Sequence, residues 1–321
     1  MRAIRVAEHG GPEVLVPADV ADPAPRPGEV LVELAAAGIN YIDTYVRTGL
    51  YPRATPLVPG LEGAGRVAAT GDGVDDLAVG DRVAFADADG TYAQRVAVPA
   101  ERCVRVPDAV DDDVAAAALL QGLTAHYLVH DTHPVAPGDA VLVHAGAGGM
   151  GLLLCQLAAA AGATVIATTS SPEKDALARG AGAHHTLRYA DDLADRVREL
   201  TDGEGVAVVY DGVGATTFDA SLASLRVRGV LALYGAASGP VPPVDPQRLN
   251  SGGALYLTRP SLGWHVRTTE ALRWRAGEVY RAVTAGTLSV RIGGRYALDD
   301  AAGAHRDLEG RRTTGKLLLR P

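Results

Sequence analysis

The sequence predicts an α/β protein, a doubly wound parallel sheet joined to a compact, barrel-like β domain. Three observations carry this reading. Residues 121–258 alternate short apolar strands with helical stretches, the βαβ repetition of a parallel sheet. Residues 1 to about 120 hold several short β-like runs parted by Gly, Pro and Asp turns. One strand, residues 141–143, breaks into Gly146-Ala147-Gly148-Gly149-Met150-Gly151 ahead of a run of leucines and alanines.

Taken in order, residues 3–7, 14–16 and 30–34 read as the first strands, and 64–69, 82–85 and 92–98 continue them. Asp111 to Asp113 favour the start of an alanine-rich helix that runs to residue 120. Past a turn at Pro137-Gly138-Asp139, strands are expected at 140–143, 164–167, 184–187, 206–210 and 230–233. Helices are expected between them at 152–161, 172–180, 191–201 and 217–225. A polar, proline-rich excursion at 238–250 precedes a further strand at 254–257, an edge that needs a partner. Helices at 269–285 and 299–308 and a strand at 316–319 close the chain.

Composition narrows the function classes. The 321 residues suffice for two domains with sizeable cores. A net charge of −8 argues against nucleic acid or an anionic membrane surface as the main partner. Cys103 and Cys155 are the only cysteines, too few for a disulfide framework or a four-thiolate metal site. The chain's start lacks the apolar core of a signal peptide and no stretch is long and apolar enough to span a bilayer, so a reducing cytoplasm is the expected compartment. Among 30 basic residues only Lys174 and Lys316 are lysine, which sets those two apart.

Gly146, Gly148 and Gly151 fit G-x-G-x-x-G between a strand and a helix, the context in which that pattern signals a dinucleotide. One glycine makes the tight turn, one admits a pyrophosphate to the backbone, and one lets helix and strand pack closely. Gly149 and Met150 open the helix, whose free N–H groups and positive dipole end suit phosphate. The next strand ends at Thr168-Thr169-Ser170-Ser171 without the acid that binds ribose hydroxyls, and Lys174 follows. Small hydroxyls with a cation suit a 2′-phosphate, which favours NADPH over NADH. The plain structural reading makes Lys174 a solvated residue behind a Ser170–Glu173 capping box, and Glu173 is itself a candidate ribose acid. Gly212 and Val213 after the fourth strand, with Tyr234 and Gly235 after the fifth, stand where ligands bind such sheets. Asp211 reads as a turn residue. Ser221 lacks the strand-turn-helix elbow of a hydrolase nucleophile.

Several separated motifs together carry a resemblance. Gly10-Gly11-Pro12-Glu13-Val14-Leu15, Gly38-Ile39-Asn40-Tyr41-Ile42-Asp43-Thr44-Tyr45, Pro59-Gly60-Leu61-Glu62-Gly63-Ala64-Gly65 and Gly80-Asp81-Arg82-Val83 are similar to motifs of the medium-chain dehydrogenase/reductase superfamily. With the glycine loop, Val209-Tyr210-Asp211-Gly212-Val213-Gly214, Thr258-Arg259-Pro260-Ser261-Leu262 and Gly315-Lys316, the chain resembles the zinc-free, zeta-crystallin-like quinone oxidoreductases over nearly its whole length. The resemblance implies a GroES-like domain from residues 1–120 and 259–321, a Rossmann domain at 121–258, and NADPH in a cleft. It also implies a homodimer joined through the strand at 254–257.

Zinc alcohol dehydrogenases carry Cys at the position of Asn40 and His at that of Leu61, so the resemblance implies no metal here. Quinones and conjugated enones need a Lewis acid less than simple alcohols do, because conjugation spreads the charge that builds as hydride arrives. Position by position, the resemblance puts Asn40 and Tyr45 beside the acceptor and Tyr51 at the mouth of its pocket. It puts Gln121 and Thr124 near the nicotinamide, Lys174 and Tyr189 near the 2′-phosphate, and Arg259 and Lys316 at the nicotinamide end. The plain structural alternatives are a helix cap for Asn40 and a packed, half-buried tyrosine for Tyr45. The alternatives are an enoyl-thioester reductase, for which no basic lane is evident, and a non-catalytic NADPH-binding protein, structural or RNA-binding, against which the charge of −8 speaks.

Overall fold

Along the first part of the longest strand Val30, Val32 and Leu34 are buried while Glu29, Leu31, Glu33 and Ala35 are more open, the period-two pattern of a sheet with one face on a core. In the computed structural model, which describes residues 1–321, the chain divides into two units, residues 1–123 with 266–321 and residues 124–265. The divisions fall a few residues after the positions expected from the sequence, 120 and 258.

The first unit opens with β1 (Arg2–Arg5) paired to β2 (Val16–Asp19), then β3 (Glu29–Ile39) and the short helix α1 (Tyr41–Arg47). β4 (Glu62–Thr70), β5 (Arg82–Phe85), β6 (Arg95–Pro99), β7 (Val104–Arg105) and helix α2 (Asp112–Tyr127) follow. The second unit runs β8 (Ala140–Val143), α3 (Gly149–Ala160), β9 (Thr164–Thr169), α4 (Pro172–Gly180), β10 (His185–Arg188) and α5 (Leu193–Glu199). It continues with β11 (Val206–Asp211), α6 (Phe218–Ala223), β12 (Leu225–Leu233), α7 (Gln247–Ser251), β13 (Tyr256–Thr258) and α8 (Leu262–His265). The chain returns to the first unit with α9 (Thr269–Thr284), β14 (Ile292–Ala297), α10 (Ala301–Glu309) and β15 (Lys316–Arg320).

In the second unit six parallel strands lie in the order β10-β9-β8-β11-β12-β13, so the order reverses between β8 and β11. Val141, Leu142 and Val143 are wholly buried in the middle of that sheet, each worth about 1.5–3 kcal/mol against exposure. The first unit's main sheet runs β14-β15-β3-β4-β5-β7, with β6 on β3. Ile4 and Val6 share a core with Ala301, Leu317 and Leu319, which is why both ends of the chain fold into one unit.

Local chemistry explains the departures from the expected elements. The predicted strand at 14–16 is cut in two: a 3₁₀ turn with Pro12 in its first position spans Pro12–Val14, and β2 begins at Val16. α1 escapes pattern reading because Tyr41, Ile42, Thr44, Tyr45 and Val46 favour strands; its start is held instead by the Asp43 carboxylate on the Asn40 N–H. β14 is masked by Gly293-Gly294. A Cβ on Gly293 would lie 1.6 Å from the Thr314 carbonyl oxygen, so the backbones touch where a side chain would stand.

Candidate active site

In the second unit, β8 feeds the chain into the glycine loop. A Cβ on Gly146 would lie 2.7 Å from the Ala167 methyl, and one on Gly151 would lie 2.2 Å from the Ala145 carbonyl oxygen. Gly148 is different: its nearest neighbour would be that same oxygen at 3.2 Å, so this glycine leaves an open side. Gly148 is also the N-cap of α3, extended and without a side-chain cap. The first turn, which includes Met150, therefore keeps N–H groups for an anion at the positive end of the helix dipole. The loop and helix thus fit a pyrophosphate.

His144, fully buried, has Thr168 Oγ1 at 3.1 Å from Nδ1 and Ser221 Oγ at 2.9 Å from Nε2. Burial lowers the His144 pKa, which keeps the ring neutral. Ser221 donates to Asp211 Oδ2 at 2.7 Å, so the carboxylate reaches the serine and not the imidazole, unlike the relay of a hydrolase. Asp211 also accepts the N–H groups of Val213 and Gly214 and the Thr217 hydroxyl, and so fixes the loop that carries Gly212 and Val213. Gly212 lies against the Tyr234 ring, 2.8 Å from where its Cβ would be, and a Cβ on Gly235 would meet the Gly212 oxygen at 2.5 Å. Arg259 donates to the Leu233 oxygen at 3.0 Å.

At the end of β9 the cap of α4 is Ser171, not Ser170, because Pro172 takes the first helical position. That frees Ser170 Oγ to accept from Lys174 Nζ at 3.2 Å. Tyr189 takes the Ala145 N–H on its hydroxyl at 2.9 Å, and its ring stacks on His144, so it borders the glycine loop. Arg188 is the residue that sequence reasoning missed. Parallel register sets it opposite Thr169, and its guanidinium reaches Thr169 Oγ1 at 2.6 Å and Asp175 at 2.5 Å. The hydrogen bond from Arg188 draws the Asp175 carboxyl down to about 2. Pattern alone shows Arg188 only as a solvated arginine closing a weak strand.

In the first unit Asn40 is 4% exposed and is the N-cap of α1. Its Nδ2 donates to Glu62 Oε2 at 2.8 Å and toward the Gly38 oxygen at 3.4 Å. Its Oδ1 accepts from Lys316 Nζ at 2.5 Å and from Gln121 Nε2 at 3.5 Å. Lys316, 1% exposed, also pairs with the wholly buried Glu62 at 2.5 Å, and Glu62 accepts the Leu120 N–H on its other oxygen. Lys316, expected beside the cofactor, thus has its charge met inside this cluster. Glu62 was legible only as part of a motif.

Asp43 extends the network. Its Oδ2 accepts from Asn40 N at 2.8 Å and from the Tyr92 hydroxyl at 2.9 Å, while Oδ1 has no partner. Burial raises the Asp43 pKa to about 7. Beyond Tyr92 lie His305, 3.0 Å away, and Arg47, whose Nη1 is 2.9 Å from His305 Nδ1. An arginine only donates, so His305 carries its proton on Nε2 and the chain of donors runs from Arg47 through His305 and Tyr92 to Asp43. Tyr45 is buried, and its ring meets those of Tyr41 and Tyr51 at 6.0 and 5.2 Å; Tyr51 reaches the surface. Thr124 is buried on α2, one turn beyond Gln121.

Two family patterns match this chain: the alcohol dehydrogenase GroES-like domain at residues 26–108 and the zinc-binding dehydrogenase at residues 149–269. A quinone oxidoreductase of Pseudomonas aeruginosa is 45% identical over 323 residues, covering 100% of this chain and 99% of that protein. The chain belongs to the quinone oxidoreductases of the medium-chain dehydrogenase/reductase superfamily. Within that family, a 2-haloacrylate reductase from a Burkholderia species is 42% identical, with 98% of each chain covered. A mycobacterial protein solved in complex with NADPH is 55% identical, with 100% of both chains covered and a TM-score of 0.98.

The name of the second pattern does not describe the donors here. Asn40 offers an amide and Leu61 no donor atom, and no three His, Cys, Asp or Glu side chains converge as a metal set. No helix is long and apolar enough to cross a membrane.

Proposed function

We propose that this chain is an NADPH-dependent quinone oxidoreductase that reduces quinones or conjugated enones without a metal. The observation that carries the reading is the glycine cradle at the end of β8, uncapped on its open side, with Ser170, Lys174 and Arg188 at the end of the neighbouring strands. NADPH, when bound, supplies the hydride. Gly148, Gly149, Met150 and Gly151 would hold the pyrophosphate by backbone N–H groups. Ser170 and Lys174 would hold the 2′-phosphate, with Thr169 fixed behind them by Arg188. Gly212, Val213, Tyr234, Gly235 and Arg259 stand at the carboxyl ends of the next three strands, where the rest of the dinucleotide would run.

Asn40 acts by position, since its amide already serves Glu62, Lys316 and Gln121. Tyr45 and Tyr51 are the aromatic hydroxyls proposed to face the acceptor oxygen, orienting it and excluding water. Reduction of a conjugated carbon–carbon bond is the second reading, favoured by the 42% identity to a 2-haloacrylate reductase.

The chain would work as a homodimer through β13, whose outer edge is unpaired and whose Tyr256 is 54% exposed. Light scattering should give twice the chain mass for the parent and the single mass for Tyr256→Lys. A reducing cytoplasm fits its two buried free thiols.

The test is oxidation of NADPH, with NADH in parallel, against a small quinone and an α,β-unsaturated ketone. Turnover with NADPH and the quinone is the expected result. Tight NADPH binding without turnover on either acceptor would refute the enzyme reading, and preference for NADH would refute the Lys174 assignment.

A further inference from the structure

The sequence shows no acid at the end of β9, yet the fold brings one there. Asp175 lies in the first turn of α4, and Thr169, the last residue of β9, donates its hydroxyl to the Asp175 carboxylate. Gly146 of the glycine loop donates its N–H to the Thr168 oxygen at 2.8 Å, so this strand end stands beside the loop that fits a pyrophosphate. A carboxylate in such a place accepts the ribose hydroxyls of NADH and opposes a 2′-phosphate. Taken alone, Asp175 therefore contradicts the preference to which Ser170 and Lys174 point.

Arg188 resolves the contradiction. Its terminal nitrogens meet both Asp175 oxygens, Nη1 on Oδ1 at 2.5 Å and Nη2 on Oδ2 at 2.6 Å, and Nη1 also donates to Thr169 Oγ1 at 2.6 Å. Such a two-pronged contact is the strong form of an ion pair, and the Asp175 side chain is only 23% exposed. The nearby Arg179 is engaged elsewhere, on the His184 oxygen and the Thr186 hydroxyl. The Arg188 hydrogen bonds hold the Asp175 carboxyl down at about 2, so it is charged and both its oxygens are occupied.

We propose that Arg188 sets the cofactor preference by masking Asp175, a positioning residue that turns an NADH-type strand end into one that accepts the 2′-phosphate of NADPH. The inference rests on the dinucleotide reading of the glycine loop. Without Arg188 the carboxylate is free to accept ribose hydroxyls and to repel the phosphate. With Arg188 in place it does neither, and Ser170 and Lys174 meet the phosphate unopposed.

The test is a fluorescence titration of the parent, Arg188→Ala, Asp175→Ala and the double variant with NADPH and with NADH. In Arg188→Ala, NADPH should bind about tenfold to a hundredfold more weakly, the effect of one unmasked charge near the phosphate. NADH should bind at least as tightly as in the parent, so the preference narrows or reverses. Removing Asp175 as well should restore most of the lost NADPH affinity. If Arg188 instead touched the phosphate directly, the double variant would stay as weak as Arg188→Ala, and that result overturns the masking. A parent preference retained in Arg188→Ala overturns it too. Asp175→Ala alone should bind NADPH at least as tightly as the parent; weaker binding would make the pair a clamp on the strand end and overturn the proposal. A parent that binds neither dinucleotide overturns the reading of the glycine loop and this inference with it, whereas a failed Arg188 effect in a parent that prefers NADPH leaves that reading standing. Should Arg188→Ala not fold, Arg188→Gln, which keeps a donor for Thr169, decides on the same terms.

Discussion

Gly148 and Gly151 lie three residues apart in one loop and should fail in opposite ways. A Cβ at residue 151 would stand 2.2 Å from the Ala145 carbonyl oxygen and 2.7 Å from the Gly146 Cα. Both neighbours are backbone, so Gly151→Ala must displace the loop or the helix. Overpacking of this kind costs about 1–3 kcal/mol, or a fall of several degrees in Tm at about 2–4 °C per kcal/mol. A Cβ at residue 148 would meet only that oxygen at 3.2 Å, and φ there is −74°, open to any residue. Gly148→Ala, at an N-cap where glycine is preferred to alanine, should therefore cost about 0.5–1 kcal/mol of stability, less than Gly151→Ala. Its methyl, however, projects on the side where the pyrophosphate would approach the backbone, and NADPH should bind about tenfold more weakly or worse. Thermal unfolding of the free protein and a fluorescence titration with NADPH separate the two effects. If Gly148→Ala binds NADPH like the parent, the pyrophosphate does not lie on this loop. If Gly151→Ala melts with the parent, the packing argument is wrong.

The other predictions concern charge. Lys174→Ala should weaken NADPH binding by about 10-fold to 100-fold, the worth of one charge-assisted contact, and leave NADH unchanged; equal losses for both would move the 2′-phosphate elsewhere. Asp43 and His305 should oppose each other in the pH dependence of stability. Asp43, buried and raised from 3.8 to about 7, binds its proton more tightly folded than unfolded, so its contribution is present at low pH and lost as pH rises through 7. His305, lowered by burial from 6.5 to about 3, contributes above 6.5 and loses that as pH falls toward 3. Between about pH 4 and 6.5 the two slopes cancel. Asp43→Asn, which keeps the shape beside Tyr92, Glu62, Lys316 and Arg47, should leave stability rising by up to about 1.4 kcal/mol per pH unit over that window. Urea unfolding at three pH values reads the slope, and a variant as flat as the parent would sink the assignment.

The sequence is most legible where local pattern and tertiary role agree. β8, the glycine loop and α4 announce themselves because each residue there answers to a neighbour close in the chain. The end of β9 is only half legible. Ser170 and Lys174 are near each other in sequence, but Arg188 joins them through the parallel pairing of β9 with β10, which no spacing rule encodes. The cluster around Asn40 is the least legible part. Its members come from the end of β3, the start of β4, helix α2 and the first residue of β15, and Lys316 reaches Asn40 across 276 positions of chain. A lone lysine near the end of the chain is noticeable by its rarity, yet only the sheet order β15-β3-β4 brings it beside Glu62.

That cluster also carries an argument about purpose. Burying an ammonium and a carboxylate costs several kcal/mol per ion, which their mutual attraction only partly returns. As a device for stability, Lys316 with Glu62 is therefore a poor one, and two apolar residues of like volume would serve as well or better. What the pair does supply is direction. Lys316 can only donate and an ionised Glu62 can only accept, so the Asn40 amide is held with Oδ1 toward the ammonium and Nδ2 toward the carboxylate. Asp43 fixes the same residue through its backbone N–H. With both handles held, the start of α1 and the Tyr45 ring that it carries are kept in one arrangement. Lys316→Met alone would strand a buried carboxylate and cost about 3–5 kcal/mol. Combined with Glu62→Gln, which removes the second charge and keeps an oxygen for the Leu120 N–H, it should on this reasoning leave the fold near its parent stability, while freeing Asn40 to turn and raising KM for the quinone. A loss of several kcal/mol of stability with KM unchanged would show instead that the pair exists to hold the unit together.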